Sequence, residues 1–459
     1  MPTTLLPELL WQDGRFVRDR ALVLDGDRIA AIVPGERAGR DAEHLPRRAL
    51  MPGFVNAHSH AFQRVIRGRT QWRPAHERSA DFWSWREEMY RAALLLSPEH
   101  IEAASAFCFL EMLKAGYTTV GEFHYLHNDR SGARYDDPVE LARRIISAAR
   151  SVGIRITLLH VAYATSAIGQ PLRPEQRRFA TPELDGFLDA VDRLRGPAGG
   201  DPLVSIGVAP HSIRAVPRQW LREIRIYAGQ HDLPLHMHVS EQPAEVDATL
   251  AAFGLRPVEL LEQDGMLDAR FTAVHATHLS PHEVTALGGN DVTICACPTT
   301  ERDLGDGFLQ SSNLVAAGAR IAIGTDSQSI IDPFEEVRTL EYNERLQRLR
   351  RIVLLPPSAE GPADPGRLLL DIGTRAGADA LRIDAGRLEA NALADLIAVD
   401  LDHIALVGCT DDTLAAHLTL GGRAECVSDV WVGGVRRVTD RRHPDEERLR
   451  AAYDVVSRS

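Results

Sequence analysis

The sequence predicts an α/β chain: a (β/α)8 TIM-type barrel carrying a small β-sandwich formed by the N- and C-terminal segments. Three observations predict it. Eight short apolar segments recur, separated by helix-like stretches of the length a β/α unit requires. Polar, metal-ligating side chains gather at the C-terminal ends of those segments, the face on which barrel active sites assemble. The two ends of the chain carry short strand-like pieces with Asp-Gly turns.

In order the apolar segments are ALMPGFVNAHSH (49–60), TTVGEFHYLH (118–127), RITLLHVAY (155–163), LVSIGVAPHS (203–212), LPLHMHVSE (233–241), FTAVHATHL (271–279), VTICACPTTE (292–301) and RIAIGTDSQ (320–328). Intervening stretches such as 98–116, 137–153 and 217–232 open near Pro, Ser or Asp, and the first two close on Gly, the usual start and stop chemistry of helices. A doubly wound open sheet competes with the barrel, but no Gly-X-Gly-X-X-Gly follows the first segment. The terminal pieces LLWQDGRFV, RALVLDGDRIAAIVPG, ADLIAVDLD and DVWVGGVRRVTD predict one β unit drawn from both ends. The expected division is 1–50 and 385–459 for that unit and 51–384 for the barrel. LLPPSAEGPADPG (354–366) reads as an exposed loop.

Composition excludes several classes. A formal charge of −12 across 459 residues, with no basic tail, argues against a nucleic-acid partner. No apolar run reaches the length of a membrane span, and the N-terminus lacks the three sections of a signal peptide. The five cysteines are odd in number and show no paired zinc-finger spacing. Cys295 and Cys297 read as core thiols, and the chain as a reduced, cytoplasmic protein.

The stretch MPGFVNAHSHAFQ (51–63) opens the chemistry. Side chains at i and i+2 of a strand share a face, so His58 and His60 present two imidazoles to one metal ion. A zinc site needs three or four such ligands. In HMHVSEQ, His238 supplies a third and Glu241, three residues on, a catalytic carboxylate; His236 shares the strand face and competes with His238. Asp326, at the end of the eighth segment, closes the ligand set or serves as a helix N-cap.

The ordered set Pro-Gly-Phe-Val-Asn-X-His-X-His, His-X-X-Glu, Val-His-Ala-Thr-His and Gly-Thr-Asp-Ser resembles the amidohydrolase superfamily, in its branch of single-metal hydrolytic deaminases. The resemblance spans essentially the whole chain. It implies one divalent metal ion, zinc first among the candidates, held by His58, His60, His238 and Asp326. It also implies Glu241, His275 and Asp326 as catalytic residues. Asp326 would take a proton from water and Glu241 would deliver one to the departing nitrogen. His275 would stabilise the tetrahedral intermediate, with His278 in a supporting place. Binuclear members of the superfamily use a carboxylated barrel lysine; Lys114, the only lysine, lies on a predicted helix.

The substrate-side stretches NAHSHAFQRVIRGRT, DFWSWREEMYR, GEFHYLHND, APHSIRAV, HMHVSEQPAEV and TLEYNERLQRLR resemble the formimidoylglutamate deiminases within that branch. That family hydrolyses N-formimino-L-glutamate to N-formyl-L-glutamate and ammonia in histidine degradation. A dicarboxylate substrate requires local cations in so acidic a protein, and Arg214, three residues after His211, suits a bidentate clamp. The resemblance adds Gln63, Arg86, Tyr125 and His211 to the substrate pocket, with His124 and His127 competing for the place of Tyr125. It further implies a homodimer. The alternatives are another formimino or guanidino acid, or a guanine- or adenosine-type heterocycle; a non-catalytic barrel would lack a ligand or the proton-transfer carboxylate.

Overall fold

The computed structural model describes residues 2–73, 80–198, 200–356, 359 and 363–458. Eight parallel strands follow one another around a barrel: β1 (Phe54–Ser59), β2 (Tyr117–His124), β3 (Arg155–Ala162), β4 (Val204–Pro210), β5 (Leu235–Val239), β6 (Phe271–His275), β7 (Thr293–Ala296) and β8 (Arg320–Ile323). Seven of them fall within the apolar segments, and β2 begins one residue before its segment, at Tyr117. The barrel closes where Ser59, at the end of β1, pairs in parallel with Asp326, beyond β8. His60 N–H donates to Asp326 O and Asp326 N–H to His58 O, both at 3.0 Å.

Local chemistry explains the helices between strands. Helix Pro98–Ala115 starts with Ser97, whose side chain accepts from His100 N–H, and stops at Gly116 in the left-handed region. Helix Glu140–Val152 buries Leu141, Ile145, Ile146, Ala149 and Val152. That spacing makes one apolar stripe against the barrel. Helix Arg218–Gln230 does the same with Leu221, Ile224 and Ala228.

Both ends of the chain contribute to a second, eight-stranded sheet of mixed direction. Its order runs Val435–Val438, Val427–Val432, Leu396–Asp400, Glu43–Pro52, Thr3–Gln12, Arg20–Asp25, Arg28–Pro34, with Arg15–Val17 paired to Thr3–Gln12. The apolar run 49–60 divides at Gly53: Glu43–Pro52 belongs to the terminal sheet, and β1 begins one residue later. Along Glu43–Pro52, Leu50 joins the terminal core while Ala49 and Met51 on either side join the barrel core, as strand alternation requires; Leu45 reaches the face of Leu50 through an irregularity in the register near Arg47, whose backbone is left-handed. In the stretch 354–366, Leu354 is buried and Ala363 and Asp364 are exposed; residues 357, 358 and 360–362 lie outside the described residues. Among the described residues no helix is long and apolar enough to cross a membrane.

Candidate metal-dependent active site

The C-terminal ends of β1, β5 and β8 bring His58, His60, His238 and Asp326 together. His58 Nε2 lies 3.2 Å from both His60 Nε2 and His238 Nε2. Asp326 Oδ1 lies 3.3 Å from His58 Nε2 and 3.2 Å from His60 Nε2. All four side chains are buried. His60 Nδ1–H donates to Phe123 O and His238 Nδ1–H to His211 O, each at 3.0 Å. A neutral imidazole carries one ring proton, so both Nε2 atoms turn lone pairs toward the same point as the carboxylate. Burial pushes His58 down to about 3 and His238 well below its ordinary value, keeping these rings neutral. Lone pairs and a carboxylate crowded at 3.2–3.3 Å match the edges of a tetrahedron about 2.0–2.1 Å from centre to nitrogen. The donor set fits a divalent cation. The backbone-anchored Nδ1 atoms supply the orientation that metal-bound histidines use.

β8 approaches β1 closely enough that Gly324 has no room for a side chain. A Cβ there would lie 2.7 Å from His58 O and 2.8 Å from His58 Cβ. His236 stays below the cluster and bonds Ala380 O through Nε2–H at 2.9 Å; His238 takes the ligand position.

Three further groups face the cluster. His275 Nε2 is 3.7 Å from Glu241 Oε1 and 3.9 Å from Asp326 Oδ2. His275 Nδ1 is 3.3 Å from Glu301 Oε1, which also accepts Cys297 N–H at 2.8 Å. Burial works to lower the His275 pKa, but the carboxylates Glu241, Glu301 and Asp326 outweigh it and hold it well above the ordinary value. The backbone is turned into the left-handed region at Ser240, His275, Ala276, Asp326 and Gln328. Non-glycine residues adopt that region at a cost, and such strain gathers at functional sites. His278 instead bonds Asp306 O through Nε2–H at 2.8 Å.

The residues that the sequence assigns to the substrate side are placed as follows. Gln63 Nε2 donates to Tyr125 Oη at 2.7 Å, and Gln63 Oε1 is buried without a partner. The Tyr125 ring meets His60 edge-on at 4.8 Å, while His124 and His127 pack with His160. His211 packs against His238 at 4.8 Å and Tyr163 at 4.7 Å. Burial, then the charge of Arg214, lowers the His211 pKa well below its usual value. Arg214 Nη2 is 3.4 Å from Glu241 Oε2. Arg86, on helix Phe82–Leu95, lies over the Trp83 and Tyr90 rings at 4.5 and 5.6 Å. The Tyr90 hydroxyl lies 3.3 Å from that of Tyr163, whose ring packs against His211, so Tyr90 and Tyr163 connect the Arg86 side of the site to His211.

Sequence reasoning left out Glu301, Glu245, Tyr163 and Gln176. Gln176 Nε2 donates to the hydroxyls of Tyr163 at 2.8 Å and Tyr90 at 3.0 Å. Glu301 ends the seventh apolar segment and lies in the first turn of helix Pro298–Leu304, just after β7; that position after a strand was the available signal. Lys114 sits in the last turn of helix Pro98–Ala115, bonded to Glu446 of the C-terminal helix Glu446–Arg458.

Residues 49–437 match the amidohydrolase family. The chain belongs to the amidohydrolase family. It is 39% identical to the formimidoylglutamate deiminase of Pseudomonas aeruginosa, covering 98% of this chain and 97% of that protein. It is 30% identical to the 8-oxoguanine deaminase of the same organism, covering 86% and 83%. Among solved structures, an amidohydrolase from Brucella melitensis superposes with a TM-score of 0.91 at 35% identity, over 99% of each chain. This amidohydrolase is therefore a hydrolase acting on C–N bonds, of the deaminase type, with a buried site that fits a metal ion.

Proposed function

We propose that this amidohydrolase converts N-formimino-L-glutamate and water to N-formyl-L-glutamate and ammonia. The observation that carries the reading is cationic: Arg214 stands 3.4 Å from Glu241, and Arg86 lies over the ring of Tyr90, whose hydroxyl is 3.3 Å from that of Tyr163, the neighbour of His211. Two guanidinium groups suit the two carboxylates of that substrate, whereas a purine ring asks for an aromatic, uncharged pocket. The similarity to the Pseudomonas aeruginosa deiminase supports the same choice.

His58, His60, His238 and Asp326 would hold the divalent cation, zinc in this reading, which would supply an attacking water of lowered pKa. The Asp326 carboxylate, with Oδ2 directed toward His275, accepts the proton that water gives up. Glu241 carries a proton to the amidine nitrogen, which then leaves as ammonia. His275 stabilises charge developing on the carbon-bound oxygen, oriented by Glu301 through Nδ1. Gln63, Tyr125 and His211 orient the formimino group and its chain, and the arginines hold the carboxylates. The protein acts in the cytoplasm as a homodimer in this reading.

Arg86→Met and Arg214→Met test the assignment. Each is expected to raise KM for N-formimino-L-glutamate by about tenfold or more, on the order of 1.4 kcal/mol. Unchanged KM in both, or turnover of guanine in preference to the diacid, overturns it.

A further inference from the structure

Arg214 faces two carboxylates at once. Its Nη2 is 3.4 Å from Glu241 Oε2, and its Nε is 3.4 Å from Glu245 Oε2. The two acids differ in how they are held. Glu245 is fully buried on helix Pro243–Phe253 and accepts Ser240 N–H through Oε1 at 3.4 Å. Arg214 Nε and Glu245 Oε2 are buried with no hydrogen-bond partner, so the ion pair is the contact that compensates each. Glu241 lies in the loop after β5, between Arg214 and His275.

We propose that Glu245 is a fixed counter-charge that positions Arg214, and that a substrate carboxylate takes the place of Glu241 on the guanidinium. The inference rests on the dicarboxylate reading of the substrate. A third carboxylate cannot join Arg214 while both glutamates hold it without bringing three anions together in a buried space. Glu245, fixed by its helix and by Ser240 N–H, stays. Glu241 leaves and turns toward His275 and the departing nitrogen. Binding of the correct diacid thereby frees the proton carrier, while a substrate without that carboxylate leaves Glu241 paired with Arg214. Glu245 is a positioning residue: it touches no reacting atom and acts through Arg214.

The test is a double-variant cycle on the full-length, zinc-loaded protein, using Glu245→Gln, Arg214→Met and the combination. N-formimino-L-glutamate is the substrate, and calorimetric binding of N-formyl-L-glutamate is a second readout. Glu245→Gln is expected to raise KM and weaken product binding by about tenfold. Glu245→Asp, which keeps the charge, is expected to restore part of both. The combined variant is expected to be no worse than Arg214→Met alone. Wild-type KM in Glu245→Gln, or effects that multiply in the combination, overturns the proposal. If the wild-type protein neither turns over N-formimino-L-glutamate nor binds N-formyl-L-glutamate, the substrate reading falls and the exchange at Arg214 falls with it.

Discussion

Ser59 and Asp326 pair across the seam that closes the barrel. The residues flanking that bridge are His58 and His60, so three candidate ligands belong to the joint between the first and last strands. Closing the barrel and assembling the ligand cluster are one structural event.

Metal removal is therefore expected to loosen the seam. Chelation should lower the Tm, and zinc should restore it. A cation at one hundred times its Kd adds about 2.7 kcal/mol to the folded state. His58→Ala and His238→Ala should abolish the zinc-dependent rise. Thermal melts with and without chelator, together with metal content by mass spectrometry, check this.

Gly324→Ala tests the same joint from the other side. The added Cβ would meet the backbone and Cβ of His58, so the variant is expected to fold with reduced stoichiometry of bound zinc. Overpacking of this kind typically costs about 1–3 kcal/mol. Denaturant unfolding and equilibrium dialysis separate the two effects.

Arg155 on β3 and Asp395 beside the terminal strand Leu396–Asp400 form a buried two-point ion pair, with contacts of 2.7 and 3.0 Å. Arg155 also donates to Pro202 O, and Asp395 Oδ1 accepts Gly433 N–H at 2.6 Å. Arg155→Met leaves Asp395 charged and buried and is expected to cost about 3–5 kcal/mol. Arg155→Met with Asp395→Leu should recover part of that loss, since no buried charge remains, although Gly433 N–H loses its acceptor. Urea unfolding of the three variants gives the coupling.

Burial pushes the Glu122 carboxyl up to about 7, against hydrogen bonds from Ser59 Oγ and Ala61 N–H. The folded protein holds a proton that the unfolded chain releases at the ordinary carboxyl value. This contribution to stability is complete below the ordinary value and is lost as pH rises through about 7. In metal-stripped protein, stability should fall over that window more steeply for wild type than for Glu122→Gln. Melting temperatures across the pH series measure it.

Glu301→Gln is expected to lower kcat by about a hundredfold with little change in KM, because it disturbs the orientation of His275 and not the carboxylate clamp. A rise in KM at constant kcat would contradict that role.

Much of this architecture is legible in the sequence because it depends on short-range patterns. Period-two alternation puts His58 and His60 on one face. Apolar runs followed by polar residues mark strand ends such as Met237–Glu241 and Ile323–Asp326. Pairings between distant loops leave no such trace. Glu245 reads as an ordinary acid in the first turn of a helix, and only the folded chain brings it to Arg214. Arg86 enters the pocket assignment only through the family resemblance, and only the folded helix Phe82–Leu95 sets its guanidinium over the Trp83 and Tyr90 rings. The run 49–60 looks continuous because both the terminal sheet and the barrel demand apolar residues. Gly53 is the local mark of the change.

The most direct measurement is ammonia release from N-formimino-L-glutamate by the zinc-loaded protein, with the organic product identified by mass and N-formimino-L-aspartate and guanine run beside it. The account predicts rapid formation of N-formyl-L-glutamate, weak turnover of the shorter diacid, and loss of activity in Glu241→Gln and His238→Ala. No turnover of N-formimino-L-glutamate alongside turnover of guanine would contradict it: the metal chemistry would stand, and the dicarboxylate clamp built on Arg86 and Arg214 would not.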